Sequence, residues 1–334
     1  MSTDISQQLQ FLESKIRNLR PEEFEDIAME VFRFQFENNM IYKEFAESLS
    51  KTPAHVSTLD ELPFLPISAF KSHPIKIQES HPEIVFESSG TGGITSQHHV
   101  SSIKWYQEQS KRIFEAEYGP LSEYCILALL PSYLERGNSS LVFMVDHFMK
   151  ESHHPDNGFY LKDYSLLKKT LEELYEKSQK TLLIGVSFAL LDFAEKFELQ
   201  KNPQLIVMET GGMKGRRKEL IREELHHLLG HAFHKTDIHS EYGMTELLSQ
   251  AYSKGKGIFE ENRFLSVRIG KQNQPFDLCK EGEIGKIKLI DLSNLYSCSF
   301  IATDDLGRKC GAGQFEVLGR SDIAELRGCN LMLI

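Results

Sequence analysis

From Ile84 to residue 229 short apolar runs alternate with helix-length segments, and this alternation restricts the fold more than any other feature of the chain. Ile84–Glu87, Tyr124–Leu130, Thr181–Val186 and Gln204–Glu209 read as strands. Residues 101–117, 139–150, 165–179, 187–199 and 215–229 between and after them read as helices. Strands that alternate with helices imply a layered α/β fold with much parallel sheet. On either side the pattern changes. Leu9, Leu12, Ile16 and Leu19 recur at helical spacing, and Pro21 with Glu22 and Glu23 suits a second helix start, so residues 4–50 are expected to form two or three helices. Residues 52–82 are rich in proline and turn residues and predict an irregular crossing segment. In 257–318, VRIG, GEIGKIKLI, CSFIAT and GQFEVLG predict short strands with glycine turns, in a small antiparallel sheet or barrel. With no flexible linker and no internal repeat, the expectation is one compact domain over 1–334. It would have a helical start (1–50), an α/β core (84–256) and a β-rich part with a terminal tail (257–334).

Composition narrows the classes. A formal charge of −10 without a basic stripe gives no support for nucleic acid as a partner. No apolar run approaches the roughly 20 residues needed to span a bilayer. The start, MSTDISQQLQFLESKIRNL, lacks the apolar core of a signal peptide. Five cysteines with no CxxC pair favour reduced thiols over a disulfide framework or structural zinc. The expectation is a soluble cytoplasmic protein.

Four segments carry candidate chemistry. In FESSGTGGITSQ, residues 86–97, a strand runs into Ser88, Ser89, Gly90, Thr91, Gly92 and Gly93. Glycines let backbone N–H groups form a concave nest, and hydroxyls add donors, which suits polyphosphate oxygens. The loop is not a Walker P-loop, and a plain surface turn has the same composition. In HSEYGMTE, residues 239–246, Tyr242 ends a strand, Thr245 offers a hydroxyl for phosphate and Glu246 a carboxylate for magnesium. The competing reading is a strand–turn–helix junction with Thr245 as N-cap. In METGGMKGRRKE, residues 208–219, a strand ends in Gly211–Gly212, where ligands of open α/β sheets gather, although the basic run that follows suits a solvated face. In residues 301–322, Asp304 and Asp305 are expected in a turn between strands, and Arg320 follows a further strand. A carboxylate can take both ribose hydroxyls and an arginine can meet ribose or phosphate, whereas a hairpin turn plus a surface arginine needs no ligand.

In this order the four segments resemble the adenylate-forming superfamily of acyl-CoA synthetases, luciferases and adenylation domains, over roughly residues 55–334. SSGTGGITS is similar to its phosphate loop, TGG to its adenine-contact loop, YGMTE to its most diagnostic motif, and TDDLG with GR to its ribose-binding pair. Chain length, the helical start with FQFENNMIYKEF, Gln97 and the ending LGRSDIAELRGCNL resemble the LuxE-type acyl-protein synthetase family within it. The resemblance implies the large N-terminal domain of the adenylate-forming fold, with ATP and Mg2+ as cofactors. Ser88, Ser89, Gly90, Thr91 and Gly92 would hold the triphosphate, Gly211 and Gly212 would border adenine, and Tyr242 would flank the base. Thr245 would contact the α-phosphate, Glu246 would bind magnesium, Asp305 would take the ribose hydroxyls, and Arg320 would lie beside them. A fatty acid or other carboxylic acid would become acyl-AMP. Cys329, near the C-terminus with Arg327 beside it, would then accept the acyl group for a partner reductase. The alternatives are a ligase using CoA or a carrier thiol, and a non-catalytic nucleotide- or acyl-binding component. Two departures from the pattern stand out. Ser96–Gln97 occupy the place of the usual lysine, and the chain ends where relatives continue into a small C-terminal domain with an essential lysine.

Other signals are weaker. His226, His227, His231 and His234 crowd one segment without a completing carboxylate motif, so solvated or locally bonded histidines are expected rather than a metal site. His98 follows the phosphate loop and could face a ligand. Cys125 and Cys298 are expected in the core, and the serines of PSYLERGNSS lack a nucleophile elbow.

Overall fold

The periodic leucines of the N-terminal segment become one buried stripe. Leu9, Leu12, Ile16 and Leu19 pack inward from α1 (Thr3–Arg17) and the residues just after it. A single tight turn at Pro21–Glu23, where proline lacks only an N–H that a helix start leaves free, leads into α2 (Phe24–Asn38). Asn39 then caps α3 (Met40–Ser48), its side chain accepting from Tyr42 N at 3.1 Å. The computed structural model describes residues 3–78, 80–88, 95–131, 138–211, 220–272 and 274–320. In it these helices are joined to the far end of the chain. Gln35 Nε2 donates to the carbonyls of Asn294 and Leu295 at 3.1 and 3.0 Å, and Asn39 Nδ2 donates to Ser297 O at 2.9 Å.

After β1 (Leu65–Pro66) and α4 (Ala69–Ser72), the hairpin of β2 (Ile84–Glu87) and β3 (Gln97–Val100) leads into the α/β layer. Its elements are α5 (Ile103–Tyr118), β4 (Cys125–Leu129), α6 (Ser140–Ser152), β5 (Gly158–Phe159), α7 (Tyr164–Glu176), β6 (Thr181–Val186), α8 (Ser187–Ala194), β7 (Leu205–Thr210), α9 (Arg222–Phe233), β8 (His239–Tyr242) and β9 (Ala251–Ser253). The sheet order is β5-β4-β6-β7-β8-β9, and every pairing is parallel except β8 with β9. Every residue of β4 and β6 is buried, as a parallel sheet covered on both faces requires. The sequence reading holds here, although α8 stops at Ala194 rather than 199 and the expected 215–229 helix is described from Arg222.

The second layer comprises β10 (Ile258–Glu260), β11 (Leu265–Lys271), β12 (Gln274–Leu278), β13 (Gly285–Asp291), β14 (Phe300–Gly311) and β15 (Gln314–Arg320). They pair antiparallel in the order β10-β15-β14-β13-β11-β12, with β1 added in parallel to β14. Of the two predicted forms, sheet and barrel, it is a seven-stranded sheet that ends in β10 and β12. Cys125 and Cys298 are fully buried, as expected. No described helix is long and apolar enough to cross a membrane.

Candidate functional site

The carboxyl ends of β6, β7 and β8 open into a cleft of about 1600 Å³, roofed by β14 and β15 of the second sheet. Such an end of a parallel sheet is where an α/β fold presents its ligand-binding loops. Ser88, Gly211, Tyr242, Thr245, Glu246, Asp305 and Arg320 all line this one cleft. Ser89, Gly90, Thr91, Gly92, Gly212 and Cys329 lie outside the described residues.

The base of the first motif is clamped. Ser88 N donates to Ser96 O at 3.0 Å and Ser96 N donates to Ser88 Oγ at 2.9 Å, closing the β2–β3 hairpin beneath the loop. Gln97 faces outward and donates to Glu87 Oε1 at 3.2 Å. Gly211 has φ +65, a conformation suited to glycine, directly after β7.

The segment after Tyr242 departs from one competing reading. No helix follows Thr245: the chain turns and returns antiparallel as β9, so Thr245 is not an N-cap. The turn is held from behind at four of its backbone groups. His98 Nδ1 shares a hydrogen bond with Thr245 O at 2.8 Å, and Asn294 Nδ2 donates to Glu246 O at 2.7 Å. Asp291 accepts from Leu248 N, Ser249 N, Ser249 Oγ and Ser293 N at 2.9, 3.1, 2.6 and 3.0 Å. His98 therefore lies behind Thr245, wholly buried, and does not face the cleft. Burial pushes its imidazole down to about 4, so it is neutral at physiological pH. The side chains of Thr245 and Glu246 are left to line the cleft. Burial raises the Glu246 carboxyl above its ordinary value, with the Ser96 hydroxyl and the Arg320 charge opposing.

Asp304 and Asp305 are not in a turn. They stand inside β14, and the hairpin turn lies at 312–313; DDLG has turn composition, but a shift of register between Leu306 and Gly307 absorbs it within the strand. Asp305 is the Cα partner of Arg320 on β15, and Tyr242 Oη donates to Asp305 Oδ2 at 2.8 Å. Tyr242 packs edge-on against the stacked pair of Phe259 and Phe315, ring centroids 5.9 and 6.1 Å away. The tyrosine and the carboxylate, 63 residues apart, form one unit.

A polar floor escaped the sequence reading. Glu209 is buried and is met by Ser187 Oγ at 3.1 Å, Arg222 Nε at 3.4 Å and His226 Nε2 at 3.5 Å. Burial would raise its carboxyl, but the His226 hydrogen bond and the Arg222 charge prevail and hold it below the ordinary value. Next to it Glu241 accepts from Thr210 Oγ1 at 2.5 Å. It has no basic partner among the described residues, and burial pushes it up to about 7. Of the crowded histidines, His226, His227 and His231 line the cleft, and His226 is locally bonded to Ser240 and Glu209. Among the described residues no group of three or more His, Cys, Asp or Glu could hold a metal ion.

A two-sheet α/β domain with this cleft has the adenylate-forming fold, and solved structures of that fold are similar to it. ATP-bound MatB from Rhodopseudomonas palustris shares 15% identity and a TM-score of 0.55, over 73% of this chain and 49% of that one. A 2-hydroxyisobutyryl-CoA ligase in complex with 2-HIB-AMP and CoA shares 12% identity and a TM-score of 0.65, over 90% and 68%. McyG A-PCP complexed with phenylalanyl-adenylate shares 14% and 0.50, over 84% and 54%. At these identities the likeness is one of fold, and the chain spans about half the length of MatB. No curated protein matches the sequence. The sequence model of the acyl-protein synthetase family LuxE matches residues 17–334, and the chain belongs to that family.

Proposed function

We propose that the chain uses ATP to convert a carboxylic acid, a fatty acid foremost, into acyl-AMP and then transfers the acyl group to the thiol of Cys329. A carboxylate oxygen attacks the α-phosphorus, the α–β anhydride bond breaks, and pyrophosphate leaves with the bonding pair. The Cys329 thiolate then attacks the acyl carbon and AMP departs, leaving a thioester for a partner reductase.

The observation that carries this reading is the convergence of seven residues from four separate segments on one cleft. On this reading Ser88 with Ser89, Gly90, Thr91 and Gly92 holds the triphosphate, Gly211 and Gly212 border the adenine, and Tyr242 flanks it. Asp305, oriented by the Tyr242 hydroxyl, takes the ribose hydroxyls beside Arg320. Thr245 meets the α-phosphate. Positioning and charge neutralisation of this kind are what nucleotidyl transfer requires.

Glu246 fits a magnesium ion bound together with phosphates. It is 5% exposed, lines the cleft, and among the described residues forms no ion pair with Lys or Arg. One carboxylate plus substrate phosphates is the usual magnesium arrangement, and the bound ion would neutralise phosphate charge. Glu246→Ala is expected to lower acid-dependent pyrophosphate release on the order of 100-fold; undiminished release removes Glu246 from this role.

The CoA-bound fold relative supports a second reading, an external thiol as acceptor. Intact mass spectrometry after incubation with ATP, magnesium and a panel of fatty acids separates the two. A hydroxylamine-sensitive adduct that disappears in Cys329→Ala, with pyrophosphate still released, supports transfer to Cys329. Pyrophosphate without an adduct transfers the role to CoA or a carrier protein. Neither signal with any acid points to a nucleotide- or acyl-binding component.

A further inference from the structure

Successive residues of a strand face opposite ways, so Tyr242 and Glu241 look into different arms of the cleft. Tyr242 faces Asp305 and Phe315. Glu241 faces the other way, beside its register partner Thr210, and its charge is felt by Tyr106, whose hydroxyl donates to Ser140 O at 3.1 Å. Tyr106, Ser140, Leu141 and Met144, from α5 and α6, line this second arm. On the adenylation reading, on which this inference rests, the arm away from the ribose pair receives the acid.

A pocket for a plain hydrocarbon chain should be apolar, because a buried polar group without a partner costs about 1–3 kcal/mol. This arm holds one such group, the Gln250 amide oxygen, next to a Glu241 carboxylate oxygen that has no donor among the described residues. Glu241 is 8% exposed; Oε2 takes the Thr210 hydroxyl, and among the described residues Oε1 has no donor. Gln250 is 4% exposed. Its Nε2 donates to Leu248 O at 3.4 Å, which orients the amide and leaves Oε1 buried with no partner. The two meet over Gly243. A Cβ placed there would stand 2.3 Å from Glu241 Oε1 and 3.5 Å from Gln250 Cγ, so only a glycine leaves room for the Glu241 carboxylate beside the Gln250 side chain.

We propose that the acid bound here carries a hydrogen-bond donor, a hydroxyl or amino substituent near its carboxyl end, received by Glu241 Oε1 and Gln250 Oε1. The position follows from the chain: Gly243 is two residues from Thr245, at most about 7 Å along the backbone. Sites built to bond a substrate hydroxyl or amine reject analogues that lack it, because their own polar groups are then left unpaired.

The test is calorimetric titration of the full chain with acids of equal carbon number: unsubstituted, 2-, 3- or 4-hydroxy, and 2-, 3- or 4-amino. At least one substituted acid should bind about tenfold or more tighter than the unsubstituted one. Glu241→Leu and Gln250→Leu should each bring that ratio to within about threefold. Hydroxyl preference identifies a neutral donor and amino preference a charged one, and both support the inference. Unsubstituted acid binding as tightly as every substituted one overturns it, whether or not either variant folds. ATP–pyrophosphate exchange, run in parallel, reads the underlying function. Exchange without a preference sinks this inference alone, and preference without exchange sinks the adenylation reading alone.

Discussion

Glu241 should make the protein less stable than it need be, by an amount that depends on pH. Its carboxyl titrates at about 7 in the folded chain against an ordinary 4.5, chiefly because burial disfavours the charge; the Thr210 hydroxyl opposes the shift and the nearby Glu209 reinforces it. With the folded value raised, the folded state holds the proton more tightly than the unfolded chain between these two values. The stabilising contribution of the protonated carboxyl therefore falls as pH rises from about 4.5 through about 7, and is fully lost above. The whole interval amounts to about 3 kcal/mol. Glu241→Gln keeps the acceptor for Thr210 and removes the titration. Denaturant unfolding should show the variant more stable than the parent by up to about 3 kcal/mol at pH 8, with the gain vanishing near pH 4.5. For a chain of this length the same gain is roughly 4 °C in melting temperature. A variant no more stable than the parent at pH 8, or a gain undiminished at pH 5, would refute the reasoning. A charge retained at such a cost belongs where function uses it, and acid binding by the same variant can be measured alongside.

Other expectations concern the ribose side and the turn behind Thr245. Tyr242→Phe removes the hydroxyl that orients Asp305 and should weaken ATP binding by about 1 kcal/mol, roughly fivefold; calorimetry showing unchanged affinity removes that role. Asp291→Asn turns an amide N–H2 toward backbone donors at Leu248 and Ser249 and should cost about 2–3 kcal/mol in urea unfolding. A loss below about 0.5 kcal/mol would show that the turn is held by other contacts.

Local chemistry was legible in the sequence and long-range pairing was not. Thr181–Val186 could be read as a buried strand because all six residues are small or apolar and flanked by polar ones. Ser88, Tyr242, Thr245 and Glu246 could be picked out because a phosphate-binding loop needs glycine and hydroxyls close together in the chain. Asp305 is expected in a turn because DDLG has the composition of one, and only the pairing of that segment with β13 and β15 keeps it in a strand. Glu241 and Gln250 went unnoticed for a similar reason. Glu241 lies within HSEYGMTE and Gln250 beyond it, and what makes both notable, burial beside Gly243, arises only when β8 meets β9 and β7. His98 looked like a ligand by position, whereas its partner is a backbone carbonyl 147 residues away.

The hydrogen bonds from Gln35 to Asn294 and Leu295, and from Asn39 to Ser297, span about 260 residues, and β1 pairs with a strand more than 230 residues later. During synthesis the first three helices therefore emerge long before their partners exist. At roughly 5–20 residues per second, the apolar stripe of α2 waits from some ten seconds to the better part of a minute for its closing surface. Completion must be slow and late, because loop closure over such distances comes before any contact rewards it. The first three helices thus wait for partners in the β13–β14 connection of the same sheet that roofs the cleft.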